Sequence, residues 1–234
     1  MPAAAVYLIN DHADYLNMAT NSIAMLRKFN KNIKVLCLVV DGKVSFPDEL
    51  NVEVVSVENL DKNYFPSNKE HLKNISYDPF LYIDSDTFIF DDIEKIFNLY
   101  PQSFVGCENK WAYGKRFDLF KPFNSGVVLF RGSSNKIVYD NFSVKLNNIN
   151  DDHPKLCEWL NKYNPWTKEE FLMSQIVENS TTEKTFFERN HVKITENVYD
   201  FININSIIFH TYTNNWGKLR VNNFKGSKLR PKLA

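Results

Sequence analysis

The sequence predicts an α/β fold, a mostly parallel central sheet flanked by helices. Three observations carry this. Strand and helix signals alternate through the first half of the chain. Lys34–Val40 (KVLCLVV) is apolar at nearly every position, the pattern of a strand covered on both faces. A further apolar run, Phe80–Ile83, ends in paired acidic residues, at the strand end where open α/β sheets hold their ligands.

The elements follow in order. Val6–Ile9 reads as a first strand feeding a loop at Asn10-Asp11, whose side chains are expected to cap the next helix. From Tyr15 to Phe29, Leu16, Ala19, Ile23, Met25 and Leu26 recur at helical spacing. After the strand at 34–40 and the turn Asp41-Gly42, strands are expected at Val52–Val57, Phe80–Ile83, Phe104-Val105 and Gly126–Phe130. Ser133–Leu146 reads as one helix, with Ser133 or Ser134 as its cap. Thr167 and Glu170 form a capping box behind Pro165 and open a helix running to Val177. His191–Ile194 and Ile207–His210 are late strands. The tail from Asn214 is polar and basic.

Composition excludes several classes. Lys plus Arg and Asp plus Glu both number 28, so the net charge is zero and the basic excess of a nucleic-acid binder is missing. The three cysteines, Cys37, Cys107 and Cys157, are odd in number and lack CxxC spacing, which argues against disulfides and a cysteine zinc site. No run approaches the roughly 18–20 apolar residues that span a bilayer. No basic start followed by a long apolar run marks a signal peptide. The expectation is a soluble protein of a reducing, cytoplasmic compartment.

The chemistry concentrates in Leu81-Tyr-Ile-Asp84-Ser85-Asp86-Thr. Two carboxylates at i and i+2 repel one another unless a cation sits between or beside them. An oxygen-rich site of this kind suits Mg²⁺ or Mn²⁺, which keep positions open for diphosphate oxygens. The bland alternative makes both aspartates solvated turn residues. A strand followed by Asp-x-Asp-x-Thr also opens haloacid-dehalogenase-type phosphatases, where the first Asp is the nucleophile. Those chains carry the motif on their first strand and need paired acids after a later strand. Here three strand candidates precede it, and Asp151-Asp152 follows the polar Asn147–Asn150. A sugar nucleotidyltransferase would want a Gly-rich loop after the first strand, and Asn10–Asp14 contains no glycine.

Four segments together resemble the glycogenin-like retaining glycosyltransferases of GT-A fold, the family that includes glycogenin and bacterial galactosyltransferases. They are Val6–Asp11 with Tyr15, Leu81–Thr87, Phe123-Asn-Ser-Gly-Val-Val-Leu-Phe130, and Ile208-Phe-His210 followed by Gly217-Lys218. Their order fits along about 210 residues of the chain. The resemblance implies one GT-A domain over residues 1–234, with a nucleotide-sugar half at about 1–130 and an acceptor half at about 131–234. It implies a nucleoside diphosphate sugar donor, UDP-linked, a glycan or other hydroxyl acceptor, and Mn²⁺ or Mg²⁺ held by Asp84, Asp86 and His210. Leu8, Ile9, Asn10, Asp11 and Tyr15 would hold the base and ribose. Ser85, Gly126, Lys69 and Lys218 would line the rest of the donor site. Asn124, Ser125 and Gln175 would serve the reacting sugar; an inverting enzyme would also need a carboxylate base near the acceptor hydroxyl, for which Glu170 is the candidate.

The chain departs from the family pattern in places. The family's Asp-Gln pair in the helix after the Asn-Ser-Gly strand reads Ser174-Gln175 here, with Glu169 or Glu170 able to supply a carboxylate nearby. The lost Asp motivates a rival reading, a nucleotide-sugar-binding protein without turnover. The family's Lys before the acidic strand has two candidates, Lys69 and Lys73. Trp111, Tyr113, Trp159, Trp166, Tyr212 and Trp216 could line a carbohydrate groove, since sugar rings pack on aromatic faces. His12, His71, His153 and His191 stand in polar contexts and read as surface residues, His12 lying in the nucleotide loop.

Overall fold

The computed structural model describes residues 2–108, 123–163, 168–188, 191–195 and 206–211. Thr167, Trp111, Tyr113, Trp166, Tyr212, Trp216, Gly217, Lys218 and the basic tail lie outside these residues, as does the side chain of Trp159. The chain opens with β1 (Ala4–Asn10), α1 (Ala13–Phe29), β2 (Lys34–Val40) and β3 (Glu53–Val57). A ten-residue 3-10 segment, Phe65–Asn74, leads to β4 (Phe80–Ile83) and β5 (Thr87–Ile89). Then come α2 (Glu94–Leu99), β6 (Phe104–Glu108) and β7 (Phe123–Phe130). Helices α3 (Ser134–Tyr139), α4 (Phe142–Asp152), α5 (Pro154–Tyr163) and α6 (Lys168–Asn179) follow, with β8 (Lys184–Phe186), β9 (Val192–Thr195) and β10 (Ile208–Thr211) after them.

Seven strands make one sheet in the order β3-β2-β1-β4-β7-β6-β8. All pairings are parallel except those of β7, which runs against both β4 and β6. This reversal positions the site. Because β7 runs backwards, its first residues, Asn124 to Gly126, lie at the edge where β4 ends, with Ile83 opposite Val127. The Asp84 N–H donates to the Gly126 carbonyl at 2.7 Å and ties the two strands together there.

Side-chain alternation divides the core between the two faces of this sheet. Tyr7, Ile9, Cys37, Val39, Leu81 and Ile83 face α1 and its Ala19, Ile23 and Leu26. Val6, Leu8, Leu38, Phe80, Tyr82 and Phe130 face the helices after β7, against Tyr139, Phe142 and Phe171. Each large apolar side chain so buried contributes about 1.5–3 kcal/mol. A smaller sheet, β5-β10-β9, packs Phe88, Ile89, Val192 and Ile208 into the first of these cores.

Local chemistry sets several boundaries. The N-cap of α1 is His12, in place of the expected Asn10 or Asp11. Its Nδ1 accepts the Asp14 N–H at 3.3 Å, while Asn10 Oδ1 accepts the His12 N–H at 3.1 Å. The helix expected over 133–146 breaks in two, because Asn141 adopts φ 53°, a left-handed conformation that asparagine tolerates better than most residues. At the end of α1, Arg27 donates to the carbonyls of Leu50, Asn30, Ile33 and Asn51, closing this corner of the fold. β3 forms the sheet edge, and Val54 and Val55 are exposed on it.

Candidate functional site

Asp84 leaves the sheet at the end of β4, and Asp86 stands immediately before β5. Pairing of β5 with β10 sets His210 opposite Thr87, so the imidazole arrives beside both aspartates. His210 Nε2 lies 3.1 Å from Asp86 Oδ1 and 3.6 Å from Asp84 Oδ2. One ligand atom from each of the three residues falls within 4.8 Å of the others. Space for the ring comes from Gly126: a Cβ there would stand 2.1 Å from His210 Cε1. Two carboxylates and an imidazole meeting in such a cradle are a donor set that fits Mn²⁺ or Mg²⁺. Burial acts to lower the His210 pKa, but Asp86 and Asp84 outweigh it and raise the imidazole above its ordinary range.

Behind the aspartates lies a buried charged network. Lys69, on the 3-10 segment, donates to Ser125 Oγ at 2.9 Å, Glu169 Oε1 at 3.0 Å and the Ser125 carbonyl at 3.3 Å. Its Nζ is also 3.6 Å from Asp84 Oδ1. Burial opposes the ammonium, and the Asp84 and Glu169 carboxylates overcome it, raising the Lys69 pKa. Glu169 is raised by its burial, with Lys69 and the Ser125 hydroxyl pulling the other way. Ser125 Oγ donates to Glu169 Oε1 at 2.5 Å. Asn124 Nδ2 donates to Glu170 Oε1 at 2.6 Å, and Asn124 Oδ1 accepts the Gly126 N–H at 2.9 Å. The first turn of α6 thus clamps the start of β7 through two adjacent carboxylates.

Toward solvent, the end of β1 and its loop form the rim. Leu8 and Ile9 are buried within the sheet, Asn10 is half-buried, and Asp11 is exposed. The Asp11 side chain rests on Gly42, where a Cβ would lie 2.6 Å from Asp11 Cβ. Tyr15 stacks on Phe65 with ring centroids 6.3 Å apart and planes 12° from parallel. Partial burial, then Asp86 and Asp84, raise the Tyr15 pKa, so its hydroxyl feels the acidic pair. Ser85 is buried between the two aspartates.

Two of the sequence expectations separate from this cluster. Gln175 Nε2 lies 3.0 Å from His153 Nε2, in a groove lined also by Ile149, Leu172 and Ile176, none of them part of the acidic cluster. Ser174 is buried, accepting the Phe123 N–H at 2.7 Å and donating to the Glu170 carbonyl at 2.6 Å. The carboxylates beside Asn124 and Ser125 come instead from Glu169 and Glu170, one turn earlier on α6. Of the two lysine candidates, Lys69 reaches Asp84, whereas Lys73 pairs with Glu70 at 2.6 Å. Two participants escape the sequence reading. Phe65 stacks on Tyr15, and Tyr82 donates its hydroxyl to Asp84 Oδ1 at 2.5 Å. Tyr82 had a signal, since residues two apart on a strand share a face. Phe65 had none.

No protein-family model matches the chain, and no curated protein matches it in sequence. Solved structures do match in shape. The glycosyltransferase GlyE of Streptococcus pneumoniae TIGR4 aligns with a TM-score of 0.57 at 16% identity, over 89% of this chain and 54% of that one. The galactosyltransferase LgtC, solved with donor and acceptor sugar analogues, aligns with a TM-score of 0.57 at 11% identity, over 96% and 98%. Mouse xyloside xylosyltransferase 1 gives 0.54 at 10% identity, over 92% and 99%. The chain therefore spans about half of GlyE (54%) and nearly all of the other two. At these identities the likeness is one of fold. The chain has the GT-A glycosyltransferase fold, a mixed α/β architecture with a mostly parallel seven-stranded sheet.

Proposed function

We propose that the chain is a metal-dependent glycosyltransferase that takes a nucleoside diphosphate sugar, UDP-linked, and transfers the sugar to a hydroxyl of a glycan acceptor. One observation carries the reading: Asp84, Asp86 and His210 converge at the carboxyl end of β4, beside the polar start of β7. Mn²⁺ or Mg²⁺ held there would act as a Lewis acid on the departing diphosphate. Asn10 and Asp11 would bond the base and ribose, with Leu8 and Ile9 supporting that edge and Tyr15, backed by Phe65, offering a stacking face. Ser85 and Gly126 would line the donor pocket, and Lys218 would reach the diphosphate. Asn124 and Ser125 would bond the sugar hydroxyls, held in place by Glu170 and Glu169. Glu170 is then the carboxylate best situated to face the reacting sugar, either stabilising positive charge at the anomeric carbon or accepting the acceptor's proton. Lys69 has its donors committed to Ser125 and Glu169, which favours a supporting role over contact with the diphosphate. Residues 1–130 and 131–234 would serve as donor and acceptor halves of one domain. Among the described residues no helix is long and apolar enough to cross a membrane.

The rival readings lose support. Asp151-Asp152 ends helix α4 and follows no strand, so that pair does not stand where the phosphatase would need its second acidic pair. Ser174 as a replacement for a family Asp motivated a protein without turnover, yet Glu169 and Glu170 bring two carboxylates to the same neighbourhood.

Calorimetric titration with UDP and UDP-sugars tests the proposal, with Mn²⁺ and then with chelator, beside Asp84→Ala/Asp86→Ala. Metal-dependent binding lost in the variant is the expected result. A folded protein that binds no nucleotide with Mn²⁺ present would sink the reading. The anomeric configuration of the product, read by NMR, separates retention from inversion.

A further inference from the structure

The two oxygens of Asp84 do different things. Oδ1 accepts the Tyr82 hydroxyl at 2.5 Å and lies 3.6 Å from Lys69 Nζ. Oδ2 faces His210 Nε2 at 3.6 Å. Tyr82 is the third residue of β4 and Asp84 stands just past its end, two positions on, and the hydroxyl bond shows the two side chains meeting on one side of the chain. That ring has no room to turn: Tyr82 is 1% exposed and sits in the apolar cluster beneath the helices. Lys69 Nζ lies 5.0 Å from the ring centroid and 3.6 Å from Asp84 Oδ1, so the ammonium sits near both the aromatic face and the carboxylate that its hydroxyl holds.

We propose that Tyr82, backed by Lys69, is a positioning residue that engages one oxygen of Asp84 inward and leaves the other to the metal. The inference rests on the metal site proposed above. The Lys69 donors are committed to Ser125 and Glu169, so the ammonium acts on Asp84 as a nearby charge at 3.6 Å, and the directional bond to Oδ1 comes from the Tyr82 hydroxyl. That bond anchors Oδ1 and restricts rotation of the carboxylate about its Cβ–Cγ bond. Oδ2 then remains aligned with Asp86 and His210 without an ordering cost when the cation binds. Outer partners of metal ligands that act this way are worth about 10–100-fold in metal affinity.

The test is Mn²⁺ affinity, read by electron paramagnetic resonance of the free ion and by calorimetry without any sugar donor. Wild type should bind, and Tyr82→Phe should raise the Kd about tenfold or more while keeping the wild-type circular dichroism. Tyr7→Phe is the control, since it deletes an equally buried hydroxyl that bonds Ser22 at 3.1 Å, and its Kd should stay at the wild-type value. If Tyr82→Phe does not fold, Tyr82→Met takes its place. It removes the same hydroxyl with an unbranched apolar side chain, and the same rise in Kd is expected. A Tyr82→Phe protein, or failing that Tyr82→Met, with wild-type affinity overturns the proposal and leaves the metal site standing. A wild type that binds no Mn²⁺ removes the metal site and the proposal together.

Discussion

The candidate site draws its ligands from two sheets that are built differently. Asp84 belongs to the large sheet. Its backbone is tied to β7 at 2.7 Å, and one carboxylate oxygen is held by Tyr82 with Lys69 nearby. His210 belongs to the small sheet, where β5 has three residues and β9 and β10 have four each. Its placement depends on the register of β10 against β5. A slip of one residue would turn the imidazole to the opposite face. One aspartate is thus fixed by a buried polar network, and the histidine by strand register and close packing. The two arrangements meet at Gly126, where large-sheet backbone touches small-sheet side chain.

This contrast can be broken from either side. The largest effect is expected from Lys69→Met, which strands the Glu169 carboxylate in a buried setting and should cost about 3–5 kcal/mol in urea denaturation. Adding Glu169→Gln should recover most of that loss, and a double variant no more stable than the single would show that the pair is not the source. Gly126→Ala comes next. Its methyl overlaps the His210 ring, so the protein should lose about 1–3 kcal/mol to overpacking and Mn²⁺ binding should weaken as the histidine is displaced. Unchanged Mn²⁺ affinity in Gly126→Ala would mean that His210 moves without consequence for the metal. The smallest change is expected from Gln175→Ala. Loss of its contact with His153 should cost about 1 kcal/mol or less and leave Mn²⁺ and nucleotide affinity as they were. A marked fall in nucleotide affinity there would return Gln175 to the donor site.

The parts of the molecule that were legible in the sequence are those in which burial writes a pattern. Lys34–Val40 is buried from Val35 onward, and its apolar run says so. Gly126–Phe130 is buried and equally plain, although the strand begins earlier, at Phe123, through the polar Asn124 and Ser125, and its reversed direction is not written in any residue. Three-residue strands such as β5 and β8 are too short to carry a period, and the 3-10 segment that delivers Lys69 has a mixed sequence without helical spacing. The break at Asn141 left the apolar spacing around it intact, so one helix was read where there are two. In α6 a family-based register pointed to Ser174-Gln175, with Glu169 or Glu170 open as the carboxylate nearby. Both Glu169 and Glu170 are buried, and a sequence pattern expects exposed acids in the first turn of a helix. Their partners on β7 are some 45 residues away along the chain, a pairing that only the assembled fold reveals.

β3 has a practical consequence at the bench. Among the described residues it is an edge strand carrying Val54 and Val55 in the open, on a protein whose formal charge sums to zero near pH 7. Open β-branched edges invite strand-to-strand association, and charge repulsion, the usual brake on it, is weakest at the isoelectric point. Purification and concentration should therefore go best well away from neutrality, and Val55→Lys is the substitution to make first where a neutral buffer is required.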